Sequence, residues 1–378
     1  MDRGVIPPGS ENCLPVGTRL AEFEITGVIG EGGFGIVYLA FDHSLQRTVA
    51  LKEYMPSTLA ARSADGFIAV RAQRHEDAFK AGLRSFINEA RLLARFDHPA
   101  LVKVYRFWED QGTAYMAMRY YEGRTFKSVV LEAREAGEPL DEAALRSILQ
   151  PMLGALEALY ASNILHRDIS PENIVILPNG AAVLLDFGAA RQIVSGMNSA
   201  LTVILKPGYA PVEQYANDDA MPQGPWTDIY SLAAVMYFAV TGSAPAAAVG
   251  RMLKDPLVPL AGSAVEGFSQ AFLAAIDKGL AVKPDDRPRS IAEFAGLMGL
   301  DLASASGAPT ASTTLAPAPG PGAAGNDDVI SGGAGALARA LATNVANAVG
   351  RTRAAAGNLK AGMSAAAAGV LVLGVGAW

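Results

Sequence analysis

Cysteine is all but missing from this chain. Cys13 stands alone among 378 residues, so no intramolecular disulfide can form, and no Cys/His cluster has zinc-site spacing. Charged residues are sparse at 18%, and their balance of −6 gives no sign of a nucleic-acid-binding surface, local basic patches aside. The first 17 residues hold Pro7, Pro8, Gly9 and Pro15 but no apolar run suited to a secretory signal. The expectation is a reducing, cytosolic setting, with residues 1–19 as a flexible leader and Cys13 an ordinary thiol within it. Apolar side chains are plentiful, at 51% of the total. That allows one or two domains with substantial cores and excludes disorder throughout.

The far end has little of what a core needs. Past Leu300 the sequence turns to Ala, Ser, Thr, Pro and Gly, as in Ala316-Pro317-Ala318-Pro319-Gly320-Pro321-Gly322. Such a stretch has too few large apolar groups to offset its ordering entropy, so residues 301–335 read as a linker. Leu337, Leu341, Val345 and Val349 then share a helical stripe, which gives a juxtamembrane helix over 336–360. Residues 361–378 carry no charge and follow Arg351, Arg353 and Lys360, an order that fits a short transmembrane segment with a positive cytoplasmic flank. Their many Ala and Gly residues are weakly hydrophobic, so an apolar tail that does not insert is the competing reading. Gly362, Ala366, Gly369 and Gly376 would let two such helices pack closely and bring two copies of the chain together.

Three short segments carry the chemistry. They are His166-Arg167-Asp168, then Asn173 five positions after the aspartate, then Asp186-Phe187-Gly188 starting thirteen further on. Alone, each has a bland reading as a surface turn or a strand end with a turn glycine. Together their spacing is hard to obtain by accident. The text between them reads as a β-hairpin, with strands over 174–177 and 182–185 around Pro178-Asn179-Gly180. Upstream, Gly30-Glu31-Gly32-Gly33-Phe34-Gly35-Ile36-Val37 has a Gly-x-Gly-x-x-Gly-x-Val pattern, weak by itself and shared in part by dinucleotide-binding turns. A dinucleotide site needs a helix after the glycines, whereas Val37-Tyr38-Leu39-Ala40 continues as a strand. The loop therefore reads as a hairpin lid over phosphates. Val49-Ala50-Leu51-Lys52 follows, and residues 75–96 put Phe79, Leu83, Phe86, Ala90 and Leu93 on one helical stripe with Glu89 beside it.

In this order the segments resemble the eukaryotic-like (bacterial) serine/threonine protein kinase family, over residues 20–298. The resemblance implies an α+β, bilobal protein kinase-like fold with a β-rich N-lobe and a helical C-lobe. It implies ATP and Mg2+, with Mn2+ as an alternative metal, and protein substrates with Ser or Thr acceptors. By the same resemblance Asp168 orients and deprotonates the acceptor hydroxyl, Asn173 and Asp186 bind the metal, and Lys52 holds the α and β phosphates. Lys52 would pair with Glu89 or, failing that, Glu76. Gly30, Gly32, Gly33, Gly35, Val37 and Ala50 would enclose the nucleotide, Met118 would guard the back of the adenine pocket, and Arg119 to Tyr121 would form the hinge whose backbone reads adenine. Thirty-six residues separate Lys52 from Glu89, more than most kinases use, so residues 53–74 form an insertion with a hairpin around Asp65-Gly66. Gly208-Tyr209-Ala210-Pro211-Val212-Glu213, Asp228 and Arg287 resemble the end of an activation segment, the brace of the catalytic loop and the arginine that pairs with that glutamate.

One departure matters. Serine/threonine kinases of this family place a lysine two positions after the catalytic aspartate, and here that residue is Ser170. Tyrosine kinases offer an arginine two positions later, where this chain has Glu172. Lys206 stands where a threonine is usual, so a swap is expected in which Lys206 supplies the charge and Ser170 the hydroxyl. Ser195, Ser199 and Thr202 are candidate autophosphorylation sites, Thr202 first, with Arg167 as the residue that captures the phosphate. Three readings follow: a protein kinase, a nucleotide-binding pseudokinase acting as a scaffold, and a small-molecule kinase, the last disfavoured by the 210–213 motif and Arg287.

Overall fold

Alternating burial along the chain from Phe23 builds an antiparallel sheet. The strands β1 (Arg19–Leu20), β2 (Phe23–Gly32), β3 (Gly35–Asp42), β4 (Arg47–Tyr54), β7 (Val104–Asp110) and β8 (Thr113–Arg119) pair in the order β1-β2-β3-β4-β8-β7. β5 (Ala60–Arg62) and β6 (Ile68–Val70) form a separate hairpin, with Gly66 at φ +89° in its turn. This computed structural model describes residues 11–186, 205–216, 221–263 and 265–302. Residues 303–335 of the expected linker, the 336–360 helix, the 361–378 segment, Phe187, Gly188, Ser195, Ser199 and Thr202 lie outside the described residues.

The two faces of the sheet are covered by different parts of the chain. Helix α1 (Glu76–Leu93) buries Phe79, Phe86, Ala90 and Leu93 against one face, where the Tyr54 ring lies 5.3 Å from Phe79 and 5.9 Å from Phe86. The other face carries Tyr38, Glu53 and Tyr115, all fully buried. Glu53 accepts hydrogen bonds from the Tyr38 hydroxyl at 2.8 Å, the Tyr115 hydroxyl at 2.9 Å and the Arg62 guanidinium at 2.5 Å. A buried carboxylate is tolerable only when so satisfied. Arg62 brings the insertion with it and donates through Nε to the Asn12 carbonyl at 2.7 Å. The Leu14 amide donates to the Tyr38 hydroxyl at 3.0 Å, and Leu14 is buried. Residues 11–19 fall within the span expected to be a flexible leader, and here Asn12 and Leu14 tie that span to the sheet through this polar network. Cys13 is half-buried against the core rather than in a mobile segment.

The second lobe follows from capping and apolar periodicity. Thr125 caps α2 (Phe126–Glu135) and Asp141 caps α3 (Glu142–Tyr160) by accepting from the Ser128 and Ala144 amides. Helix α3 carries Pro151 inside its span and continues through it as one element. A three-stranded sheet, β9 (Arg124–Thr125), β10 (Ile174–Ile176) and β11 (Ala182–Leu184), sits beneath the cleft in the order β11-β10-β9. Helix α4 (Pro225–Thr241) is apolar all round and buried along nearly its whole length, as a central core helix must be. Around it stand α5 (Ala248–Leu253), α6 (Gln270–Gly279) and α7 (Ile291–Leu297). The fold is the bilobal α+β arrangement that the motifs imply.

Candidate active site

The β10–β11 hairpin assembles the site. Its register pairs Ile174 with Leu184, which brings Asn173 opposite Leu185. The Leu185 amide donates to the Asn173 carbonyl at 2.8 Å, and the Leu185 carbonyl lies 2.9 Å from His166 Nε2. His166 Nδ1 in turn accepts from the Asp168 amide at 3.4 Å, so the tautomer with hydrogen on Nε2 satisfies both contacts. One backbone position thus holds the catalytic loop, the amide and the carboxylate at a common edge. Arg167 and Asp186 have φ of +67° and +33°, conformations that non-glycine residues rarely adopt and that recur where function fixes the backbone.

From the sheet above comes Lys52, whose Nζ is 2.7 Å from Asp186 Oδ1 and 3.7 Å from Glu89 Oε1. Glu89 is buried, whereas Glu76, the alternative partner, lies at the start of α1 and pairs with the exposed Lys80. Opposite, Asn173 Nδ2 donates to the Asp168 carboxylate at 2.6 Å and to its carbonyl at 2.8 Å, which turns Asn173 Oδ1 toward Lys206. Asn173 Oδ1 and the Asp186 carboxylate are hard oxygen donors. Among the described residues no three acidic, His or Cys side chains come together as a cation cage. A few protein oxygens completed by phosphate and water is how magnesium is usually held, so the residues fit that ion.

The glycines divide by role. A Cβ on Gly35 would meet the Glu53 carbonyl at 2.4 Å, so the fold itself requires glycine there. Gly30 and Gly33 have open space where a Cβ would stand, and Gly32 only an ordinary contact at 3.7 Å, so packing does not explain them. Val37 and the buried Ala50 lie beneath the loop on neighbouring strands, and Met118 is buried opposite Ala50 in the β4–β8 register. The Arg119 amide donates to the Lys103 carbonyl at 2.8 Å, which leaves its carbonyl as the group expected to read adenine. The Tyr121 hydroxyl is engaged by the Lys103 amide and the Leu101 carbonyl at 3.2 and 3.3 Å.

Below the cleft, the braces are in place. Asp228 is fully buried and accepts from the His166 and Arg167 amides, each at 2.7 Å, and from the Tyr160 hydroxyl at 2.9 Å. Burial pushes its carboxyl above the usual range, against those donors. Burial also lowers the Arg167 guanidinium, whose Nε has no hydrogen-bond partner among the described residues. Glu213 and Arg287 form a wholly buried pair at 2.7 Å. Lys206 Nζ lies 2.6 Å from Ser170 Oγ, 3.3 Å from Asn173 Oδ1 and 3.7 Å from Glu172 Oε2. Sequence reasoning did not find the Lys127–Glu172 contact at 2.8 Å, nor Gln214 donating to the Arg167 carbonyl at 2.8 Å, since neither partner belongs to a local pattern.

Comparison with known proteins agrees with this geometry. The family profile described as protein kinase domain matches residues 23–290. The serine/threonine-protein kinase PknL of Mycobacterium tuberculosis is 29% identical over 289 residues, 75% of this chain and 66% of that protein. PknH of Mycobacterium bovis, also a serine/threonine-protein kinase, is 30% identical over 287 residues, 74% of this chain and 44% of that protein. Among solved structures, the apo form of PpkA-294 is 48% identical with a TM-score of 0.70, covering 76% of this chain and 99% of that one. With the profile spanning well over half of the residues and the site residues in their expected order, this chain belongs to the protein kinase domain family.

Proposed function

We propose that the chain is an ATP-dependent serine/threonine protein kinase. The observation that carries this reading is Leu185, whose amide and carbonyl tie Asp186, the partner of Lys52, to the Asn173–Asp168 pair. Lys52 and the open-spaced glycines Gly30 and Gly33 hold the phosphates, and Glu89 steadies Lys52. Asn173 and Asp186 would hold magnesium, which when bound neutralises charge on the β and γ phosphates. The substrate hydroxyl oxygen forms its bond to the γ-phosphorus. The bond from that phosphorus to the β–γ bridging oxygen breaks, and ADP leaves with the electron pair. The hydroxyl proton passes to the Asp168 carboxylate, which Asn173 Nδ2 orients. Radiolabelled ATP with a generic protein substrate tests this directly. Wild type should transfer label and Asp168→Asn should lose it by about 100-fold or more; equal, background-level labelling by both would remove the protein kinase reading.

Autophosphorylation is part of the same proposal. Thr202, Ser199 and Ser195 are the acceptors, and Arg167, with its guanidinium half-buried beside Asp168, captures the phosphate. Mass spectrometry after ATP incubation, finding no phosphate on residues 195–202, would count against it. The cytoplasmic setting, the membrane tether through residues 361–378 and self-association for transfer in trans rest on the charge order and small residues of the tail. Among the described residues no helix is long and apolar enough to cross a membrane. Detergent-free fractionation that leaves the full chain soluble would remove the tether.

A further inference from the structure

Between Asp168 and Asn173 the catalytic loop reads Ile169-Ser170-Pro171-Glu172 and carries no cation of its own. A phosphoryl group in transfer spreads negative charge over its equatorial oxygens and needs donors aimed at them. Lys206 meets that need from another part of the chain. Its Nζ lies 2.6 Å from Ser170 Oγ and 3.3 Å from Asn173 Oδ1, beside the oxygen donor assigned to the metal. Ser170 is fully buried, so a charged group held against its hydroxyl is a built contact rather than a surface encounter.

Glu172 is the rival partner, and it is already occupied. Lys127 holds it at 2.8 Å, against 3.7 Å for Lys206. Lys206 is also fixed at its backbone. Its carbonyl accepts the Tyr209 and Ala210 amides at 3.1 and 3.0 Å. Gly208 completes that turn at φ +88°, where a Cβ would meet the Pro245 carbonyl at 2.6 Å. Gln214, further along the same segment, clamps it to the catalytic loop through the Arg167 carbonyl.

We infer that Lys206 is the catalytic cation of this kinase, carried on the activation segment and steered by Ser170 onto the transferring γ-phosphate. This rests on the phosphotransfer reading above. It makes the ordering of residues 205–214 a condition of catalysis, because the segment that presents the substrate also supplies the charge.

The test compares wild type, Lys206→Ala and the reciprocal variant Lys206→Ala/Ser170→Lys in the full chain. Each is checked for thermal unfolding and for binding of MgATP and MgADP. Lys206→Ala should lose about 100-fold in kcat, the range set by lost transition-state donors, with an unfolding temperature like wild type. The reciprocal variant should recover at least about tenfold of that loss. Lys206→Ala activity within about threefold of wild type overturns the inference, as does a loss that the second lysine does not rescue. If wild type itself transfers no phosphate, the reading of the enzyme has failed, and the binding arm decides this inference alone. A preference for MgATP over MgADP that narrows in Lys206→Ala supports a γ-phosphate contact, and an unchanged preference overturns it.

Discussion

His98 shows how much one protonation state decides at a connecting turn. Its Nδ1 accepts the Ala100 amide at 3.2 Å, and burial lowers its pKa below the ordinary imidazole value. The unfolded chain therefore binds the proton more readily than the folded one. Stability from this group is complete above about pH 6.5 and is lost as pH falls toward the lower folded value. Thermal unfolding followed from pH 7.5 to 5.5 should drop more steeply in wild type than in His98→Asn, whose side-chain oxygen can accept the same amide without titrating; identical slopes would contradict the assignment. Individual residues of the site were legible where the chemistry is local in sequence. Asp168 and Asn173 sit five positions apart in a segment whose resemblance to protein kinases singled out both, and they are bonded at 2.6 Å. Choosing Glu89 over Glu76 needed the helix stripe as well, and burial explains why the stripe was the better guide.

Among elements, the end of the activation segment is fastened to the second lobe by one buried ion pair. Arg287 donates to Glu213 at 2.7 Å and to the Ala281 and Val282 carbonyls, each at 2.7 Å, while Thr227 donates to the same Glu213 oxygen at 2.9 Å. Removing one partner leaves an uncompensated charge in the core, so Arg287→Met or Glu213→Gln should each cost roughly 3–5 kcal/mol in urea unfolding. The double variant should cost clearly less than the sum, because the two share the lost interaction; strict additivity would mean that each residue acts through other contacts. Elsewhere, the strands over 174–177 and 182–185, the helix within 75–96 and the hairpin at Asp65-Gly66 were readable from strand, helical and turn patterns. Glu53 was not. It looked like the first residue of an insertion, and its partners Tyr38, Arg62 and Tyr115 lie 15, 9 and 62 residues away, beyond any pattern of period 2 or 3.6.

At the scale of the whole molecule, the matched region and the folded region differ at the N-terminal side. The family match begins at residue 23, yet Leu14 is buried in the core and Asn12 binds Arg62 through both its carbonyl and its side-chain oxygen, at 2.7 and 3.1 Å. A chain lacking residues 1–22 should melt at a lower temperature than one lacking only 1–10, by several degrees for a loss of a few kcal/mol. Equal melting temperatures would mean that residues 11–22 are ornamental. Phe34 adds a mechanical consequence. At the tip of the glycine-rich loop its carbonyl accepts the Met55 amide at 3.1 Å, and its ring packs on Leu59 and Ala78. The lid is thereby moored to the insertion and to the first helix at once. Any opening of that loop must carry Met55, Leu59 and the first turn of α1 along with it, so the loop, the start of the insertion and the helix move as one coupled unit.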